Sequence, residues 1–245
     1  MMKYFNIAGP CNNTEHYMID AATRLHGVER LIEHKQYFVI HAARQSGKTT
    51  YLKDLTERLN VAGKYYALYC SLESIQNIVD PEKGIPAVIR SIYSFLKYTD
   101  IPNAGEFASD ADYTDYNNVL RTALTDYCIQ LDKPLLILFD EADCLSSDTL
   151  ILFLRQLRAG YNERSSTPFV HSVALVGMRN IRDFKAQVRP DSETLGSASP
   201  FNIVAKSLTL NNFTKEEITQ LYRQHTDATG QVFEDDAVEL VWQQT

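Results

Sequence analysis

Three uninterrupted apolar runs, at 37–40, 135–139 and 173–176, stand out in a chain whose other hydrophobic residues mostly recur every three or four positions. Unbroken apolarity over so short a run predicts a strand covered on both faces, the habit of parallel sheets sandwiched between helices. Two further strands are expected at 64–71, a tyrosine-rich stretch, and at 201–210. Helical spacing predicts a helix after the first run, another from Pro81 to about 98, and a third over 113–131 with its stripe of Tyr116, Val119, Leu120, Ala123, Leu124, Tyr127 and Cys128. A fourth covers 147–160 and delivers Leu150, Leu154 and Leu157 to the sheet, leaving Arg155 and Arg158 on a solvated face. Thr214-Lys215-Glu216-Glu217 is a capping box opening a helix to about 228, which Gly230 stops, and a last helix starts near Glu234. Residues 5–20 read as a turn-rich lead-in to a short helix over 24–33, while 101–111 and 189–200 read as loops. Strands alternating with helices predict an α/β fold, a three-layer αβα sandwich on a mainly parallel five-stranded sheet.

The junction after the first strand carries chemistry. Ala42-Ala43-Arg44-Gln45-Ser46-Gly47-Lys48-Thr49 fits [AG]-x-x-x-x-G-K-[ST] between a strand and a helix, the pattern of a phosphate-binding loop. A triphosphate tail needs converging backbone N–H donors, a cation and a magnesium ligand. Ala43, Arg44, Gln45, Ser46, Gly47, Lys48, Thr49 and Thr50 are the expected nucleotide contacts, with Gly47 admitting close backbone approach, Lys48 reaching the β and γ oxygens and Thr49 offering its hydroxyl to Mg²⁺. Ala42 stands where glycine is commoner, so the turn has to work with φ below zero there.

About ninety residues later, 134–139 runs into Asp140-Glu141-Ala142-Asp143, placing carboxylates at the carboxyl tip of a buried strand, where ligands of open α/β sheets lie. Asp140 matches a Walker B position and would hold Mg²⁺, and Glu141 would orient and deprotonate the water attacking the γ-phosphate. The strand ending at Gly177 belongs between these two, and Arg179 or Asn180 at its tip would sense the γ-phosphate.

Bulk properties narrow the classes. The 245 residues carry a net charge of −7 and a pI near 5.4, which argues against a surface built mainly to neutralise nucleic-acid phosphates. The basic cluster Arg179, Arg182, Lys185 and Arg189 abuts the expected γ-phosphate and is read as serving it or as solvated. Cysteines at 11, 70, 128 and 144 lack metal-ligand spacing and read as reduced. With neither an apolar signal region nor a run of membrane-spanning length, the expectation is a cytoplasmic protein that contacts no membrane.

With the phosphate loop, Asp140-Glu141, Arg179 and the segment Phe5-Asn6, Ala8-Gly9-Pro10-Cys11 and His16-Tyr17-Met18 in hand, the chain resembles the bacterial AAA-like domain ATPases, P-loop NTPases related to archaeal-type, STAND and AAA+ ATPases. The resemblance covers nearly the whole chain. It implies ATP as nucleotide, Glu141 as catalytic carboxylate, and a sheet with the phosphate-loop strand between the last strand and the Arg179 strand, the Asp140 strand lying beyond. It also implies an amino-terminal segment, 1–35, that wraps the adenine through Pro10 or Tyr17, an NTPase core over 36–210, and the start of a helical lid or winged-helix region over 211–245. The final helix has no C-cap and the chain stops at Thr245 after its most apolar turn, so the sequence reads as a piece of something longer.

These features point to an ATP-hydrolysing, Mg²⁺-dependent switch that binds ATP and ADP and acts on a protein partner or a further carboxyl-terminal domain. A nucleotide-sensing module without turnover and a DNA-associated AAA+-like ATPase are the alternatives. A small-molecule kinase is disfavoured because the glutamate beside Asp140 suits water as acceptor, and no N-K-x-D guanine motif is present.

Overall fold

The computed structural model describes residues 2–177 and 204–244. Five strands, β1 (Tyr37–His41), β2 (Tyr66–Ser71), β3 (Leu135–Asp140), β4 (Ser172–Gly177) and β5 (Val204–Thr209), form one all-parallel sheet in the order β2-β3-β4-β1-β5. The expected insertion of β4 between the strands of Lys48 and Asp140 is met, and β2 and β5 lie at opposite edges. Helices α1 (Ala21–Arg24) and α2 (Val28–Glu33) precede the sheet, α3 (Lys48–Ala62), α4 (Pro81–Leu96), α5 (Val119–Ile129) and α6 (Ser147–Glu163) connect its strands, and α7 (Lys215–Thr229) and α8 (Asp235–Gln243) follow it.

Every residue of β3 and β4 is buried, as their unbroken apolarity requires. Successive side chains alternate between two cores. Leu135, Ile137 and Phe139 pack with α4, α5 and α6, whereas Leu136 and Leu138 pack with α2 and α3. The same alternation sends Asp140 to the α3 side, toward the phosphate loop.

Several boundaries differ from the sequence reading. The helix expected over 113–131 begins only at Val119, because the Asp112 carboxylate accepts from the Thr114 N–H and hydroxyl at 3.0 and 2.6 Å, and side chains of this kind compete with helix formation. Its first turn is instead capped by Gln156 of α6, 3% exposed, whose amide oxygen accepts from the N–H groups of Leu120 and Arg121 at 2.9 and 3.1 Å. The helix expected over 24–33 is two pieces broken at Gly27, whose φ is 87°. The strand expected over 64–71 starts at Tyr66. The capping box at Thr214 and the stop at Gly230 are as expected, and among the described residues no helix is long and apolar enough to cross a membrane.

The α4–α6 crossing gives a direct stability test. A Cβ on Gly84 would stand 2.3 Å from Oγ1 and 2.6 Å from Cγ2 of fully buried Thr149, whose hydroxyl has no hydrogen-bond partner. Gly84→Ala is therefore expected to destabilise by about 2 kcal/mol, the cost of overpacking, and to lower Tm by about 6 °C for a chain of this size. Thermal unfolding checks this, and adding Thr149→Ala should recover most of the loss.

Candidate functional site

The site lies at the carboxyl ends of β1 and β3. Ala42 leaves β1 with φ below zero and donates its N–H to the Gly177 carbonyl at 3.2 Å, which fixes the start of the loop against β4. Ala43, Arg44 and Gln45 form its exposed rim. Gln45 and Gly47 take left-handed φ values of 60° and 86°, turning the chain so that backbone N–H groups at the start of the fifteen-residue α3 face the concave side. A side chain at Gly47 would be strained by that φ and would meet Arg24 Nη1 at 3.3 Å.

Lys48 opens α3 and is 7% exposed, with Nζ donating to the Ala43 carbonyl at 3.1 Å. The Ser46 hydroxyl donates to the same carbonyl at 2.8 Å. The lysine is thus folded across its own loop, its ammonium held at the Ala43 carbonyl. The Thr50 hydroxyl accepts from the Cys11 N–H at 3.0 Å, which ties the amino-terminal segment to the first turn of α3.

From β3, Asp140 reaches the loop. It is 1% exposed, its Oδ2 accepting from the hydroxyls of Thr49 at 2.7 Å and Tyr69 at 3.0 Å, its Oδ1 from the Glu141 N–H at 3.0 Å. Burial first, then the charge of Asp140, holds the Tyr69 hydroxyl far above its ordinary range, so it remains a donor. Glu141 sits at φ 54°, a conformation that costs a non-glycine residue of order 1 kcal/mol and that clusters at functional sites. Burial, followed by repulsion from Asp140, raises the Glu141 pKa above the ordinary carboxylate value, and the charge of Lys48 opposes the shift.

Sequence-predicted residues Lys48, Thr49, Asp140 and Glu141 therefore belong to one cluster. Among the described residues no three His, Cys, Asp or Glu side chains gather into a metal cage. A hydroxyl beside a single buried carboxylate nevertheless suits Mg²⁺, which takes one or two protein oxygens and completes its shell with phosphates and water. Pro10 is exposed, whereas Tyr17, at 5%, is packed among Phe5 and His225, in an aromatic group that Tyr222 and Phe233 extend. Gln224 of α7 grips the same segment through both the N–H and the carbonyl of Met18. Arg179, Asn180, the rest of the basic cluster and the loop at 189–200 lie outside the described residues.

Two residues escape the sequence reading. One is Tyr69. The other is Arg24, whose guanidinium donates to the Ser46 carbonyl at 2.8 Å and to the Asn211 carbonyl at 2.6 Å, stacks 4.1 Å from the Phe213 ring centroid, and approaches Glu217 at 3.6 Å. In the sequence the first was one tyrosine of the tyrosine-rich strand expected at 64–71, and the second was the opening residue of the helix expected over 24–33.

No family model matches the chain, and no curated protein matches it by sequence. Solved structures do. The Walker-type ATPase PABY2304 of Pyrococcus abyssi is similar at 15% identity with a TM-score of 0.60, over 96% of this chain and 65% of that one. Cdc6p from Pyrobaculum aerophilum is similar at 16% identity and TM-score 0.56, over 87% of this chain and 50% of that one. A chain of Drosophila ORC bound to poly(dA/dT) DNA and Cdc6 is similar at 10% identity and TM-score 0.51, over 85% of this chain and 31% of that one. The chain thus spans less than two thirds of the length of each. Likeness at this identity concerns architecture: the chain shares with these structures an α/β fold, here an all-parallel five-stranded sheet flanked by helices.

Proposed function

We propose that the chain binds ATP with Mg²⁺ and hydrolyses it, working in the cytoplasm as a nucleotide-driven switch. The observation that carries this reading is the 2.7 Å hydrogen bond from the Thr49 hydroxyl to buried Asp140, which joins the phosphate loop to the acid-tipped strand. In this reading the N–H groups from Ala43 to Thr50 receive phosphate oxygens, and Lys48 exchanges the Ala43 carbonyl for the β and γ oxygens. Thr49 and Asp140 hold the metal, which when bound neutralises charge on the β- and γ-phosphates. Glu141 orients the attacking water and takes its proton. The amino-terminal segment borders the adenine, with Pro10 at its surface and Tyr17 anchoring it, and Arg179 beyond β4 reads the γ-phosphate.

The output passes to α7 and α8, our candidate for the start of a lid, and from there to a protein partner or further domain. Arg24 supports this route because it bonds the phosphate loop at Ser46 and the segment leading into α7 at Asn211. The DNA named with the Drosophila assembly belongs to that assembly. On this chain the net charge of −7 favours a protein partner over nucleic acid.

Calorimetric titration with ATP, with and without Mg²⁺, together with phosphate release, tests the proposal. Mg²⁺-strengthened ATP binding with steady turnover is expected. Binding without turnover would leave the nucleotide-sensing module, and no ATP binding would remove the reading altogether.

A further inference from the structure

Tyr69 is in edge strand β2, and the parallel register places it beside Leu138 and places Ser71 beside Asp140. It faces the α3 side of the sheet, as Leu138 and Asp140 do. Its ring is fixed from two directions, edge-on to Phe95 of α4 with centroids 5.5 Å apart and with Lys53 Nζ of α3 5.5 Å from the centroid. An apolar strand residue would fill this space equally well. What the tyrosine adds is one oxygen, and that oxygen donates to Asp140 Oδ2, which Thr49 already contacts.

We infer that Tyr69 is a positioning residue for magnesium: its hydroxyl fixes the rotation of the Asp140 carboxylate so that this group and Thr49 present one preformed cation site. Two donors lock Oδ2, and Oδ1, with the single Glu141 N–H, keeps the larger open acceptor capacity. Removing a partner that orients a ligating group typically costs about 10- to 100-fold in metal affinity. The inference rests on the reading of Asp140 as a magnesium ligand.

Tyr69→Phe keeps the ring and deletes the oxygen. ATP binding to the parent chain and the variant is measured by calorimetry in EDTA and across a Mg²⁺ titration, with thermal unfolding of both alongside. We expect metal-free ATP affinity to agree within about twofold while the Mg²⁺ concentration giving half the metal effect rises about tenfold, the range seen for outer partners of metal ligands. An unchanged Mg²⁺ midpoint in Tyr69→Phe, with or without a lower Tm, would reduce Tyr69 to packing and overturn the inference. A parent chain whose ATP binding ignores Mg²⁺ would instead remove the magnesium role of Asp140, a failure readable without the variant. Should Tyr69→Phe not fold, Tyr69→Leu, which also removes the hydroxyl and keeps an apolar side chain on this face, carries the same comparison.

Discussion

Replacing Glu141 with glutamine is expected to lower steady-state phosphate release by about 100- to 10,000-fold, the contribution of a positioned general base, while ATP binding persists. Glutamine matches the shape and can still orient water, but it cannot take the proton. Electrostatics sets the sign of the side effects. Glu141 is partly buried beside Asp140, and its raised pKa reports that burial and this neighbour oppose its charge. Neutralising it therefore relieves repulsion, and both Tm and ATP affinity should hold or rise. Lys48→Ala is expected to do the opposite, because it removes the cation for the β and γ oxygens while the Ser46 hydroxyl still holds the Ala43 carbonyl and with it the shape of the loop. Binding should then fall by about tenfold or more, since a hydrogen bond between charged groups contributes about 1.5–3 kcal/mol. Measuring binding and turnover on the same samples separates the two roles. A Glu141→Gln variant that retains more than about a tenth of parental turnover would take the base assignment away from Glu141.

The sheet was legible wherever a local pattern and the final environment coincide. Strands β3 and β4 are buried on both faces, and between Leu135 and Phe139 and between Val173 and Val176 their sequences are continuous apolar runs. The phosphate loop was legible because its demands on φ, on charge and on a hydroxyl fall within eight consecutive positions. Relations between distant segments were not. The start of α5 depends on Gln156, 36 residues from the N–H it caps, and nothing near Val119 announces it. Tyr69 looked like any other strand tyrosine until strand order put β2 against β3. Alternation within β3 told which core Asp140 faces only once the helices had been assigned to their layers. Arg24 makes its bonds 22 and 187 positions away, separations over which no periodicity carries information.

Arg24→Ala is expected to destabilise the chain by about 3 kcal/mol, from two lost hydrogen bonds made by a charged donor and one cation–π contact, and to lower Tm by about 9 °C. The side chain is 7% exposed, and burial pushes its pKa down while Glu217 pulls it back, so the position is retained against a desolvation cost. Glu217 is itself committed to the capping box of α7, accepting the Thr214 N–H at 2.8 Å. One side chain therefore joins the phosphate loop, the segment after β5 and the cap of α7. Arg24→Lys should restore less than half of the loss, because an ammonium cannot serve two carbonyls and stack on Phe213 in the same pose. If this strut carries the nucleotide state outward, ATP will slow hydrogen exchange in α7 of the parent chain and not in Arg24→Ala, even where the variant still binds ATP. Equal slowing in both proteins would leave Arg24 as a structural brace and send the coupling through another route.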